Sequence, residues 1–231
     1  MKIKTIIYDF DGTLTPYSVP QYEIITKCQI TIEEFMNQVI QRAKQENKPL
    51  IQSYLTQYRE TLQKQKIPLT AENFCLGADK IEYNPGTIDF LQKNKTEKRK
   101  QYIITAGLEI YVKHTPIAPF IDGIYGSTFS QEKGKEDEIL LSMEKETKNK
   151  FIRQIVNEEK EAKSIVYIGD GLTDEPAFQE MKKLGGISIY LYHTEEDKKI
   201  GQKLKETGKI DYVFPADFTT GADLEKWITK T

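Results

Sequence analysis

The residues able to do chemistry fall in a few short runs. YDFDGTLT sets Asp9 and Asp11 one residue apart at the end of the apolar run Ile3–Tyr8, with Gly12 next. YIGDGLTDEPAF sets Asp170 and Asp174 behind another apolar run, Ser164–Ile168. IITAG closes a further run, Tyr102–Thr105, on the hydroxyl of Thr105. Lys148 stands before Phe151, Ile152 and Ile155, whose spacing marks the inward face of a helix that this lysine opens. Lys145, Lys148 and Lys150 crowd together; the apolar spacing favours Lys148, with Lys150 as the alternative.

If the chain brings these groups to one place, four carboxylates, a hydroxyl and an amine converge. Clustered carboxylates repel, and their ionised forms are costly without a counterion. No His or Cys accompanies these motifs, so the donors are oxygens. Such a set suits Mg²⁺, which binds through one or two carboxylates and keeps positions for water and phosphate. A calcium loop of the EF-hand kind starting at Asp9 would need glycine at Leu14 and glutamate at Pro20, and both fail.

Convergence depends on the elements. Ile3–Tyr8, Tyr102–Thr105, Ser164–Ile168 and Ile187–Leu191 are short runs rich in Ile, Val and Tyr, and Tyr212–Phe214 is a weaker fifth. Strands alternating with helical segments imply a doubly wound parallel α/β sheet. In such sheets ligands bind outside the carboxyl ends of the strands, where the acidic pairs and Thr105 fall. Helices are expected at Pro85–Gln92, Lys148–Glu158, Asp174–Lys183 and Asp223–Ile228.

The long interval between the first two strands holds helical patterns of its own. In Thr31–Gln45, residues Ile32, Phe35, Met36, Val39, Ile40 and Ala43 share a face, and Thr31 with Glu34 forms a capping-box signature. Leu50–Gln63 follows Pro49, and Ala71–Leu76 follows Thr70. A crossover between parallel strands needs only about a dozen residues, so a helical insert over 16–82 is expected, with the core formed by 1–15 and 83–231. The bland alternative is that these helices pack on the sheet as crossovers.

The composition is neutral. The 231 residues carry 33 Lys and Arg against 35 Asp and Glu, a formal net charge of −2. That balance gives no drive toward nucleic acid or an anionic membrane. The basic run Lys93–Lys100, KNKTEKRK, reads as a solvated turn. No apolar run reaches the roughly 20 residues of a membrane span, and the apolar start reads as a strand and not a signal segment. Two cysteines, Cys28 and Cys75, make no disulfide framework, so a cytoplasmic protein with reduced thiols is expected. Both, with His114 and His193, read as structural.

Taken in order, these motifs resemble the haloacid dehalogenase superfamily of phosphohydrolases: D-x-D-x-T at Asp9–Thr13, a hydroxyl at Thr105, a lysine at a helix start, and G-D-x-x-x-D at Gly169–Asp174. The resemblance implies a Rossmann-like core with a C1-type cap and a Mg²⁺-dependent phosphatase acting through an aspartyl-phosphate. Asp9 is then the nucleophile. Asp11 is the acid that protonates the leaving alcohol and the base that activates water. Thr105 and the N–H of Ala106, at a helix start, bind the phosphoryl group. Lys148 neutralises its charge. Asp9, the backbone carbonyl of Asp11 and Asp170 ligate the metal. Asp174 does so directly or through water, or caps the next helix. An aspartate at position 11 fits ester hydrolysis, because a halide leaving group needs no proton.

The wording GDGLTDEPAF, the stretch FIDGIYGSTF and the placement of the insert are similar to the phosphoserine-phosphatase-like branch. That branch reads its substrate amine with a glutamate nine residues after the nucleophile, where this chain has Ser18. The expected substrate is therefore a small phosphorylated metabolite of unassigned identity. Arg59 in the insert either binds a substrate carboxylate or second phosphate or lies on a solvated helix face. Tyr17, Tyr22, Tyr54 and Tyr58 either line a pocket or pack the insert's core. A phosphotransferase or sugar-phosphate mutase on the same core, and a non-catalytic binding protein, are the rival readings. The oligomeric state is not encoded in any of these features.

Overall fold

A computed structural model describes residues 2–16, 22–130, 132, 134–135 and 137–230. The calls on Tyr17 and Ser18, and on the Tyr22 side chain, lie outside the described residues. Seven strands form one sheet: β1 (Thr5–Tyr8), β2 (Lys100–Leu108), β3 (Gly123–Phe129), β4 (Ile139–Leu141), β5 (Ile165–Gly169), β6 (Ile187–Tyr192) and β7 (Tyr212–Pro215). Their order is β4-β3-β2-β1-β5-β6-β7. All neighbours are parallel except the antiparallel pair β3–β4. The chain runs outward from β1 first toward β3 and then toward β7. The direction of winding therefore reverses beside β1, and a crevice opens there at the carboxyl edge.

The described helices are α1 (Tyr22–Lys27), α2 (Ile32–Glu46), α3 (Leu50–Lys64), α4 (Ala71–Phe74), α5 (Thr87–Thr96), α6 (Glu109–Lys113), α7 (Lys145–Glu159), α8 (Glu175–Leu184), α9 (Glu195–Glu206) and α10 (Asp223–Lys230). Strand side chains alternate between two cores, as the pleat requires. Ile6, Tyr8, Ile103, Val166 and Ile168 face one cluster with Phe90 and Leu91 of α5 and Leu224 and Ile228 of α10. Ile7, Tyr102, Ile104, Ile165 and Tyr167 face the other, with Ile152 and Ile155 of α7, Phe178 and Met181 of α8 and Leu204 of α9. Both faces are covered, which makes the expected doubly wound α/β sheet.

Helices α1 to α4 fill the interval between β1 and β2 and share a third core. Ile24, Phe35, Val39, Tyr54, Tyr58, Leu62 and Phe74 pack together with Leu108, Tyr111 and Phe129 of the sheet region. Thr31 and Glu34 form the expected capping box of α2. Helix α3 has only Pro49 at its cap position. Its Gln52 amide donates instead to Glu144 Oε1 at 2.8 Å, just before α7.

Several expectations are corrected. β3 and β4 were not legible in the sequence, since two glycines and three hydroxyl residues crowd Gly123 to Ser130 and β4 has three residues. β2 does not stop at Thr105 but continues to Leu108, across a register shift after Ile104. α7 starts one turn before Lys148, whose amide bonds the Glu144 carbonyl. α4 ends at Phe74, not Leu76. The basic run is not a solvated turn: Lys93–Thr96 complete α5, Lys93 pairs with Glu225 and Lys95 with Asp122, and Arg99 is buried on Ile3 O, Asn94 and Glu97. Acidic partners pair three of its five basic residues, while Lys98 and Lys100 are exposed. No described helix is long and apolar enough to cross a membrane.

Candidate active site

β1 ends at Tyr8, and its last residues hand over to a tight turn. The Phe10 carbonyl accepts from the amides of Thr13, Leu14 and Thr15, and Gly12 sits in the left-handed region at φ +79°. A Cβ there would lie 2.2 Å from Asp170 Oδ2, so the turn needs glycine both for its backbone and for the approach of β5. The turn brings Asp9 to face Lys148. Lys148 Nζ donates to Asp9 Oδ1 and to Asp174 Oδ1, each at 2.7 Å. It also lies 5.6 Å from the Tyr167 ring centroid. A lysine in the first turn of a helix opposes the helix dipole, and the two carboxylates offset that cost. Lys145 and Lys150 point to solvent, so the structure brings Lys148 alone of the three into the cluster.

Asp9, Asp170 and Asp174 can each offer an oxygen within 4.8 Å of the others. Asp170 Oδ1 accepts from the buried Thr13 hydroxyl at 2.8 Å. Asp174 is surrounded: Oδ1 accepts from Lys148 and from the Tyr167 hydroxyl at 2.7 Å, and Oδ2 from the amides of Asp170 and Gly171 at 3.3 and 3.4 Å. Four donors fill a carboxylate. Asp174 occupies the cap position of α8, yet its side chain makes no capping bond, so the helix-cap reading is corrected. The hydrogen bonds of Asp9 and Asp170 fall on their Oδ1 atoms, and neither Oδ2 takes one among the described residues.

Charge is unbalanced here. Burial pushes the Asp9 carboxyl well above its ordinary range; Lys148 pulls it down, while Asp174 and Asp170 push it further up. Burial raises Asp170 to about 6, with Asp174 adding to the rise. Burial alone would lower the Lys148 ammonium, but Asp174 and Asp9 outweigh it and hold its pKa well above the usual value. One ammonium thus faces three carboxylates.

Asp11 lies apart from that trio on the β2 side, where its Oδ2 accepts from the Thr105 hydroxyl at 3.3 Å. Thr105 Oγ1 also accepts the Gly107 amide at 2.9 Å. Ala106 starts no helix. It belongs to β2, its carbonyl takes the Ser127 hydroxyl at 2.8 Å, and α6 begins at Glu109. Arg59 of α3 donates to the Asp137 carbonyl at 3.0 Å, bridging the insert to the β3–β4 loop. Tyr54 and Tyr58 stack inside the insert's core, 6.1 Å between centroids.

Three residues in this arrangement escaped sequence reasoning as parts of the site. Tyr167 was visible only as a strand residue, although its place three before Asp170 puts it on the α7 face. Asn84 donates Nδ2 to Thr13 O at 2.8 Å and to Thr15 O at 3.1 Å, and its amide to Leu14 O at 2.9 Å. It ties the chain leaving β1 to the chain returning from the insert, and only its place before Pro85-Gly86 hinted at a turn. His193 follows β6, and its Nε2 lies 2.6 Å from Gly12 O.

The sheet and its acidic crevice define an α/β enzyme fold with an oxygen-donor site at the point where the winding reverses. The chain belongs to the haloacid dehalogenase-like hydrolases, whose family model matches residues 3–182. A substrate-bound phosphoserine phosphatase is similar over 100% of this chain and 99% of its own, with TM-score 0.67 and 18% identity. A phosphoserine phosphatase carrying a phospho-aspartyl intermediate analogue is similar over 100% and 99%, with TM-score 0.65 and 20% identity. A hydrolase of the same family from Salmonella enterica serovar Typhi is similar over 94% of this chain and 69% of its own, with TM-score 0.69 and 19% identity. At these identities the likeness is one of fold. Sequence comparison with curated proteins gives no match.

Proposed function

We propose that the chain is a Mg²⁺-dependent phosphatase that hydrolyses a small phosphomonoester through an aspartyl-phosphate on Asp9. The observation that carries this reading is the single ammonium of Lys148 held at 2.7 Å by Asp9 and Asp174, in a buried trio of carboxylates beside β1. The donor set fits a hard divalent cation. It consists of oxygens, and burial first, then the neighbouring carboxylates, keep Asp9 and Asp170 harder to ionise than free carboxylates. A cation held by Asp9, the Asp11 carbonyl and Asp170, with Asp174 behind them, supplies the positive charge that keeps the nucleophile ionised and offsets phosphoryl charge.

The residues then act in turn. A carboxylate oxygen of Asp9 forms the new bond to phosphorus as the ester oxygen leaves with the proton of Asp11. Thr105 and Lys148 hold phosphoryl oxygens. In the second half, Asp11 takes a proton from water as that water attacks phosphorus, and the Asp9–phosphorus linkage breaks to release phosphate. Residues 16–82 serve as the cap over the crevice, and Arg59 stands on its α3 face as the candidate contact for a second anionic group of the substrate. The relatives named for phosphoserine phosphatase support a small phosphorylated substrate of this kind. A cytoplasmic setting fits the two unpaired thiols, Cys28 and Cys75.

The test is hydrolysis of a phosphate panel that includes p-nitrophenyl phosphate, with Mg²⁺ and with EDTA, beside Asp9→Asn. Turnover that needs Mg²⁺ and falls by at least ~10³-fold in Asp9→Asn is expected. A folded, Mg²⁺-binding protein that turns over no ester would move the assignment to phosphoryl transfer or to binding.

A further inference from the structure

The turn that carries Asp11 is gripped from outside the strand it ends. Asn84 takes the carbonyls of Thr13, Leu14 and Thr15. Gly12 O is left to a different element: His193 Nε2 reaches it at 2.6 Å, across 181 positions of sequence. A carbonyl oxygen only accepts, so Nε2 carries the hydrogen and donates. The Asp170 carboxylate also packs against Gly12 and leaves no room for a Cβ. The peptide between Asp11 and Thr13 is thus clamped between β5 and His193.

His193 is built to hold still. Tyr192 before it ends β6, in register with Pro215, and its carbonyl accepts the Ala216 amide. Thr194 after it is the cap of α9, locked in a capping box with Asp197. The His193 side chain is exposed, but its backbone is held between a paired strand and a capped helix, and that fixed backbone is what a positioning group requires.

We propose that His193 is a positioning residue for Asp11: its Nε2–H on the Gly12 carbonyl fixes the turn that aims the Asp11 carboxyl at the leaving-group oxygen. The proposal rests on the phosphatase reading for its chemical consequence but not for its structural one. Asp11 matters most where the departing oxygen needs a proton, and a displacement of about 1 Å costs about 10²-fold in such a step. Loss of the clamp therefore harms poor leaving groups more than good ones, with little effect on KM.

The experiment compares wild type with His193→Ala, His193→Leu and His193→Gln, and with His114→Gln as a control at the other histidine, whose ring bonds the Ile110 carbonyl. One arm follows hydrogen exchange of the amides of Gly12 to Thr15 in Mg²⁺. Exchange about tenfold faster in the Ala and Leu variants, restored toward wild type by Gln, is expected for a loosened turn. The other arm measures kcat and KM on p-nitrophenyl, phenyl and p-methoxyphenyl phosphates. The expected loss in kcat for Ala and Leu grows from a few-fold on the nitrophenyl ester to about 10²-fold on the poorest leaving group, with Gln recovering most of it. Unchanged exchange at Gly12–Thr15 overturns the proposal, as does a loss equal for all three esters. A wild type inert on every ester defeats the phosphatase reading instead, and the exchange arm still decides whether His193 holds the turn. If His193→Ala fails to fold, the Leu and Gln pair carries both arms.

Discussion

The carboxyl edge of the sheet and the core of the helical insert are both buried, and they are held in different ways. At the sheet edge nearly every polar atom has a partner fixed by a separate element: Lys148 from α7, Asp174 and Tyr167 around β5, Thr13 from the turn, Asn84 from the returning chain. The insert is an aromatic stack. Tyr58 packs on Tyr54, Phe74 and Phe129 with centroids about 6 Å apart, while its own hydroxyl and that of Ser53 have no hydrogen-bond partner among the described residues. Directional bonds fix positions to tenths of an ångström, whereas apolar packing fixes volume and tolerates exchange. The first region is fixed by direction, and the second by volume.

The sharpest way to break that contrast is to remove Lys148. Lys148→Met would strand two buried carboxylates that now share one ammonium, at a cost of about 3–5 kcal/mol in the metal-free protein. It would also lower kcat by about 10²–10³-fold. Denaturant melts in EDTA and steady-state kinetics in Mg²⁺ check both numbers. No single polar substitution inside the insert should match that loss of stability. If one does, the insert is held by polar contacts as well, and the distinction fails.

The same contrast explains what the sequence allowed to be read. Asp9, Asp11, Thr105, Lys148, Asp170 and Asp174 were legible as candidates because they lie at short spacings at the ends of strongly apolar runs or on an apolar-striped helix, and the fold brings Asp9, Lys148, Asp170 and Asp174 together and Asp11 to Thr105. β3 was not legible, because Gly123, Gly126 and the hydroxyl residues Ser127 and Thr128 after them blur the alternation that marks a strand. The resemblance placed Ala106 at a helix start, but its carbonyl takes the hydroxyl of Ser127 on the neighbouring strand and the backbone stays extended to Leu108. His193 carries no local signal, and Asn84 only the turn hint of the Pro85-Gly86 that follows it. Their partners are the carbonyls of residues 12 to 15, and only the folded topology makes them neighbours. Helices between β1 and β2 could be anticipated from helical periodicity, while the role of their aromatic residues could not, since aromatic packing reads the same whether it fills a core or lines a pocket.

A smaller effect tests the charge balance directly. The folded Asp170 carboxyl holds its proton up to about 6, against an ordinary value of 3.8. The folded state then binds more protons than the unfolded chain between those values. The stabilisation is complete below the unfolded value and is lost as pH rises through about 6. Asp170→Asn, which keeps an acceptor for Thr13, should therefore be more stable than wild type in EDTA at pH 7 to 8, by about 2 kcal/mol. The gap should close below about pH 4. Saturating Mg²⁺ should reverse the order by stabilising wild type alone. Equal melting of the two proteins in EDTA at pH 7 would mean that the carboxylate cluster carries no strain for a cation to relieve.

The smallest effect lies in the insert, and it sharpens the comparison from the other side. Burial raises the Tyr58 hydroxyl well above its usual pKa, with Cys28, Cys75 and Tyr111 adding to the rise, so the group remains neutral and acts only through hydrogen bonding and shape. A buried hydroxyl without a partner costs free energy that its ring does not recover. Tyr58→Phe should then leave stability unchanged or raise it by up to about 1 kcal/mol, with kcat and KM on p-nitrophenyl phosphate as in wild type. A loss of about 1 kcal/mol or more would reveal a partner for that hydroxyl and make the insert's core as directional as the sheet edge. A raised KM at unchanged stability would place the hydroxyl at the substrate, and with it the first specificity contact contributed by α3.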